Sequence, residues 1–198
     1  MKISGVLLAA GCSSRMGSTN KLLLGYKNHT ILEEVLIQLL ESKLEKLYII
    51  TGFEHEQVEK LIEPYMTTKI KILFNSNYRK GRATSIHRAV SHIQDNSEAL
   101  LFMVADKPMI QSSLIDKAID MFINQQPYIL YVNTPTGRGH PIIFSQRLFS
   151  QLLELEGDTI GDNLIEKHSD NTIILENNTI QQDIDTIEDY LSMINGKI

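Results

Sequence analysis

The sequence predicts an α/β domain of three layers, α/β/α, with helices on both faces of a mostly parallel, twisted sheet. Three observations carry that expectation. Short apolar runs, Ile3 to Ala9 and Ala99 to Val104 above all, have the length and composition of strands buried on both faces. Segments with apolar residues at helical spacing alternate with these runs, and such alternation implies right-handed parallel crossover units. The 198 residues suit one domain with a substantial core, and no Pro/Gly/Ser-rich linker divides residues 1–198.

Taken in order, Ile3 to Ala9 is the first strand and it empties into a glycine-containing polar segment. Thr30 can cap a helix whose apolar positions are Leu32, Val35, Leu36, Leu39 and Leu40, ending near Lys43. Lys46 to Thr51 reads as a strand ended by Gly52, and Glu54 to Ile62 as a short helix stopped by Pro64. Ile70 to Phe74 is the next strand. The polar stretch from Asn75 to Ser85 leads into a helix with Ile86, Ala89, Val90 and Ile93 on its apolar side.

Ala99 to Val104 terminates at Ala105-Asp106-Lys107-Pro108, and a helix opened by Ser112 or Ser113 follows, with Leu114, Ile115, Ala118, Met121 and Phe122 facing inward. Tyr128 to Val132 resumes the sheet. Asn133 to Gly139 reads as a turn-rich polar loop, and Ile142 to Phe144 as a short strand able to pair antiparallel. Gln146 to Leu155 is expected to be helical, Gly157-Asp158 to turn, Asn163 to Lys167 to form a short helix and Thr172 to Leu175 a strand. Thr186 is the N-cap expected for a last helix, with Glu188 and Asp189 in its favourable first turn.

A net charge of −5 leaves no broad basic footprint for nucleic acid, although a locally cationic pocket is compatible with it. One cysteine, Cys12, excludes an internal disulfide, and no apolar run approaches membrane-spanning length. The start, Met-Lys-Ile-Ser-Gly, runs directly into the first strand. A cytoplasmic protein with neither a nucleic-acid nor a membrane partner is the expectation.

The chemistry gathers in Val6 to Lys21. Glycines let backbone N–H groups crowd against anionic oxygens, Arg15 can fork two oxygens and Lys21 can supply a mobile point charge, so the segment reads as a phosphate-binding loop after a strand. It is not a P-loop, because Gly17 is followed by Ser18 and the lysine comes four residues later. Nor is it the dinucleotide fingerprint, since five residues separate Gly11 from Gly17. Ligands of open α/β sheets sit beyond the carboxyl ends of the strands, so Asp106 should project into the same crevice.

What remains, L-A-A-G-x-S-x-R-M-G-x-x-x-K, resembles the signature of nucleotidyltransferases related to sugar-nucleotide pyrophosphorylases, and within them the molybdenum-cofactor nucleotidyltransferases, in the cytidylyltransferase-like branch. Asn75 to Ser85, Asp106-Lys107-Pro108, Gly139-His140-Pro141, Gly157-Asp158 and the Asp183 to Asp189 run extend the resemblance over nearly the whole chain. It implies a Rossmann-like nucleotidyltransferase fold. By that likeness the backbone around Leu8, Ala9, Ala10 and Gly11 meets the base, Gly81 and Ser85 meet the base or ribose, and Arg15 and Lys21 hold the triphosphate. The same likeness makes Arg15, Lys21 and Asp106 the catalytic set, with Asp106 binding Mg²⁺.

Mg²⁺ typically takes one or two protein carboxylates, and Asp185 or Asp183 is the candidate for the second. Alternate residues of an extended segment point the same way, and only one of the two need face the site. His140 and Asp183 are candidates for binding the acceptor. Lys107 stands where the family usually has glutamine or methionine, a departure that bears on acceptor identity. The implied reaction transfers CMP from CTP to a molybdopterin-type molybdenum cofactor and releases pyrophosphate, with a molybdenum hydroxylase as a downstream partner. The alternatives are transfer to a sugar phosphate or other small phosphorylated acceptor, and a non-catalytic molybdenum-cofactor binding or maturation protein. In the family L-A-A-G is associated with cytidine and L-A-G-G with guanosine, and this chain reads Leu8-Ala9-Ala10-Gly11.

Overall fold

The computed structural model describes residues 1–13, 16, 19–179, 181 and 183–195; Arg15, Gly17 and Ser18 of the glycine segment lie outside the described residues. The first strand, β1 (Ile3–Ala9), is buried along its length. Its residues divide by the two-residue period of a strand, Ile3, Leu7 and Ala9 facing one core and Val6 and Leu8 the other.

Next comes a small hairpin, β2 (Gly25–Tyr26) and β3 (His29–Thr30), which the apolar pattern does not signal. It delivers Thr30 to the start of α1 (Ile31–Glu41). Glu33 N donates to Thr30 Oγ1 at 3.2 Å and Thr30 N donates to the Glu33 carboxylate at 2.8 Å, a reciprocal cap that satisfies two otherwise orphan amides. Leu32, Leu36 and Leu39 are fully buried on its inner face, each contributing about 1.5–3 kcal/mol of burial free energy.

β4 (Lys46–Thr51), α2 (His55–Ile62), β5 (Ile70–Phe74) and β6 (Ala99–Val104) lie where the apolar pattern puts them. α3 (Ala83–Ile93) begins inside the polar stretch, so Thr84 and Ser85 are helical. α4 (Ser112–Gln125) is capped by neither serine. Gln111 holds the cap position without a side-chain bond, and the Ser112 amide donates to Gln38 Oε1 of α1 at 2.8 Å.

The largest departure from expectation lies between Asn133 and Gly139. These residues are not a loop: β7 (Ile129–Thr134) and β8 (Gly137–Ser145) form a hairpin turned by Pro135 and Thr136, with a register shift at Tyr131/Val132. Thr134 Oγ1 donates to the Gly137 carbonyl at 2.8 Å, and Gly137 at φ +109° closes the turn. The helix expected over 146–155 is shorter as well, a single turn, α5 (Phe149–Leu152), after a 3₁₀ turn. α6 (Asp162–Lys167), β9 (Thr172–Glu176) and α7 (Ile187–Ile194) complete the chain, α7 opening on a reciprocal Thr186–Asp189 cap.

The sheet has seven strands in the order β5-β4-β1-β6-β8-β7-β9. All run parallel except β8, which pairs antiparallel with β6 and with β7. α1, α2 and α4 pack on one face, α3, α5 and α6 on the other. The three-layer, mostly parallel architecture is therefore as the sequence predicts. Among the described residues no helix is long and apolar enough to cross a membrane.

Candidate active site

β1 and β6 are neighbours, yet the chain leaves β1 toward β4 on one side and leaves β6 toward the opposite side. Diverging loops at such a switch point open a crevice beyond the strand ends. Here it is a cleft of about 510 Å³, lined by Leu8, Ala10 and Gly11 from the end of β1, Asp106 from the end of β6, and Gly81 and Ser85 from the start of α3. Ala9 does not line it. Strand alternation sends its methyl into the opposite core, so only the residues on either side of it face the cleft. Arg15 lies outside the described residues.

Lys21 is fixed from its backbone. It opens a 3₁₀ turn capped by buried Asn20, whose Oδ1 accepts from Leu22 N at 3.1 Å, and its own amide donates to Ser13 Oγ at 3.2 Å. The ammonium then reaches across the cleft to two carboxylates, Asp106 Oδ2 at 2.6 Å and Asp185 Oδ1 at 3.1 Å. Burial alone would lower its pKa, but Asp106 and then Asp185 outweigh burial and hold it above the ordinary lysine value. The other Asp106 oxygen, Oδ1, is buried with no hydrogen-bond partner among the described residues. Two carboxylates that already converge on one cation, one of them with an unused buried oxygen, fit a hard divalent ion that draws its remaining ligands from substrate. Among the described residues no group of three His, Cys, Asp or Glu side chains forms a metal cluster.

Asp185 belongs to the strap that precedes α7, whose residues Asp183 and Asp185 line the cleft. Gln181, buried, grips His140 twice: its Oε1 accepts from His140 N at 2.7 Å and its Nε2 donates to His140 O at 2.6 Å. Its backbone carbonyl accepts from Lys107 Nζ at 2.8 Å, and the same buried ammonium pairs with Asp183. Asp183 and Asp185 thus both face inward, each on a different lysine. Gln181 carries no motif or periodic signal, and only the contact geometry reveals it.

His140 lines the cleft with its ring buried. Burial, reinforced by the Lys107 charge, pushes its pKa down from 6.5 to about 4, so the imidazole is neutral at neutral pH. Nδ1 lies 3.3 Å from the Phe102 carbonyl, which can only accept, so Nδ1 carries the proton and Nε2 has the free lone pair.

The wall from Asn75 to Ser85 is held by its own polar groups. Asn75 Nδ2 donates to Thr84 Oγ1 at 2.9 Å and to Ser85 Oγ at 3.0 Å. Gly81 adopts φ +109° and its α-carbon lies against the Gly157 backbone, where a side chain would collide. Arg82 pairs with Asp158 at 2.7 Å, fastening the two segments together. Gly11, in contrast, has no atom of the described residues within 4 Å of where a Cβ would stand. Among the described residues no atom requires glycine there, which suits close approach by a ligand.

Among the described residues the cleft is lined by four cations, Lys21, Arg79, Arg82 and Lys107, and four carboxylates, Asp106, Asp158, Asp183 and Asp185. The profile of the MobA-like NTP transferase domain matches residues 5–172. A molybdenum cofactor cytidylyltransferase of Escherichia coli is 26% identical over 191 residues, covering 96% of this chain and 94% of that protein. The bifunctional protein GlmU of Ruthia magnifica is 28% identical over 98% of this chain, which spans only 40% of its length. Among solved structures, Rv0371C of Mycobacterium tuberculosis in complex with manganese superposes with a TM-score of 0.79 at 23% identity, covering 98% of this chain and 99% of that one.

Proposed function

Because the chain belongs to the MobA-like NTP transferase family and is a nucleotidyltransferase, we propose that it transfers CMP from CTP to a molybdopterin-type molybdenum cofactor, with Mg²⁺ as cofactor and pyrophosphate as second product. The observation that carries this reading is the meeting of Lys21, Asp106 and Asp185 at the strand ends, beside the Leu8–Gly11 backbone. The near full-length likeness to a molybdenum cofactor cytidylyltransferase supports the choice of acceptor and base, and the manganese complex of a protein of the same fold supports a divalent ion.

In the transfer, an acceptor phosphate oxygen attacks the α-phosphorus in line. A P–O bond forms there as the bond to the bridging oxygen of the β-phosphate breaks, and pyrophosphate leaves with that electron pair. Asp106 and Asp185 would hold Mg²⁺, which would supply charge neutralisation at the phosphate oxygens. Lys21, with Arg15, holds the triphosphate. Gly11 lets the backbone approach the nucleotide, and Gly81 and Ser85 form the wall against base or ribose. On the acceptor side Asp183 stays on Lys107, and neutral His140 offers Nε2 as a hydrogen-bond acceptor rather than a positive charge.

A sugar phosphate or other small phosphorylated acceptor is the second reading, kept open by Lys107, which lines the cleft where the resembled family usually has glutamine or methionine. The product would pass to a molybdenum hydroxylase in the first reading and not in the second. Pyrophosphate release is the test, with CTP or GTP, with or without Mg²⁺, and with molybdenum cofactor or sugar phosphates as acceptor. Release that requires CTP, Mg²⁺ and molybdenum cofactor is expected; release with sugar phosphates alone overturns the acceptor, and faster release with GTP overturns the base.

A further inference from the structure

The geometry points to a second role for Lys21: its ammonium holds the place of the divalent cation until a nucleotide arrives, so that the metal site is completed by nucleotide binding. The inference rests on the proposed cation site at Asp106 and Asp185. Lys21 Nζ is bonded to both carboxylates, at 2.6 and 3.1 Å, with its side chain only 13% exposed. A positive centre within hydrogen-bond reach of both is where an ion ligated by both would sit. The ion and the ammonium exclude one another there, by overlap and by like-charge repulsion.

Lysine suits this exchange because its charge rides on a flexible four-carbon stem. The backbone of Lys21 is held independently, by the Asn20 cap and by Ser13, so the side chain can swing while the turn stays put. The same residue lines the cleft that would hold the triphosphate. A triphosphate offers Lys21 better-charged partners than two carboxylates. Once it turns to them, it releases Asp106 Oδ2 and Asp185 Oδ1, beside the buried Asp106 Oδ1. Nucleotide and metal must then favour one another by a reciprocal factor that includes the cost of displacing the ammonium.

The test reads metal binding directly. Mn²⁺ affinity is measured by electron paramagnetic resonance for the parent, Lys21→Met and Lys21→Arg, each with and without the α,β-methylene analogues of CTP and GTP. Using both analogues keeps base choice out of the result. Lys21→Met should bind Mn²⁺ roughly tenfold more tightly than the parent in the absence of nucleotide, the scale of one charge-assisted hydrogen bond. Its gain on adding the analogue should shrink correspondingly, and Lys21→Arg, which keeps the charge, should resemble the parent. Adding Asp106→Asn to Lys21→Met should abolish the tighter binding, which locates the ion.

Mn²⁺ bound by Lys21→Met no more tightly than by the parent overturns the place-holding role and leaves the metal site intact. Should Lys21→Met not fold, the parent decides: equal Mn²⁺ affinity with and without the analogue overturns the inference. Absence of Mn²⁺ from every state, analogue complexes included, overturns the metal site and this role together.

Discussion

A single methyl group stands where base choice should be made. Ala10 lines the cleft at the end of β1, and its side chain abuts Gly52, which has no room for a Cβ of its own. Space for a purine at that point is expected to come from removal of the Ala10 methyl. We expect CTP to bind more tightly than GTP, with Ala10→Gly narrowing the gap by about 1–3 kcal/mol, the worth of one methyl in a pocket. Competitive binding of the two nucleotides to both proteins checks this, and a parent that prefers GTP sinks it. His140 makes a different kind of residue-scale statement. Its pKa is about 4 when folded against 6.5 ordinarily, so between these values the unfolded chain binds more protons and stability falls as pH falls. From pH 7 to 5 this should remove about 2 kcal/mol of stability. Urea unfolding of the parent and of His140→Gln at both pH values should show the loss in the parent and a smaller one in the variant.

Elements were legible in the sequence wherever burial imposes a period. β1 and β6 are central strands buried along their whole length, β4 and the edge strand β5 keep enough apolar residues to be read as strands, and α1 has its cap, its acidic first turn and its stripe in register. The β7–β8 hairpin escaped because Asn133, Arg138 and the residues between them form its tip, where polar side chains imitate a loop. The capping serine expected for α4 failed because a glutamine of another helix does the same job. In the site, Asp106 was readable from its place at a strand end, but its pairing with Lys21 and Asp185 was not, since only folding joins residues so far apart. The contact between the Gly81 turn and the Gly157-Asp158 bend is of that kind. Gly81→Ala should cost about 1–3 kcal/mol in backbone strain alone, and it should also loosen the nucleotide wall. Thermal unfolding together with nucleotide affinity measures both; an unchanged melting temperature would show that the two segments need not touch.

For the whole molecule, the reversal of β8 divides the labour. Residues up to Asp106 build the proposed nucleotide side from consecutive parallel units, and the later residues bring His140 from the beginning of a strand instead of its end. The strap then returns across both, and Lys21 meets Asp185 across 164 residues of sequence. Closing a loop of that length is a late event, since the entropy of bringing its ends together is repaid only when the intervening sheet exists. Contacts absent from the folding transition state leave the folding rate alone and act on the way out. Asp185→Asn should therefore accelerate unfolding in a denaturant chevron while the folding limb stays in place, and a slowed folding limb would contradict it. The strap is in that sense a kinetic lock: it contributes little to how quickly the protein forms and sets how long the finished site endures.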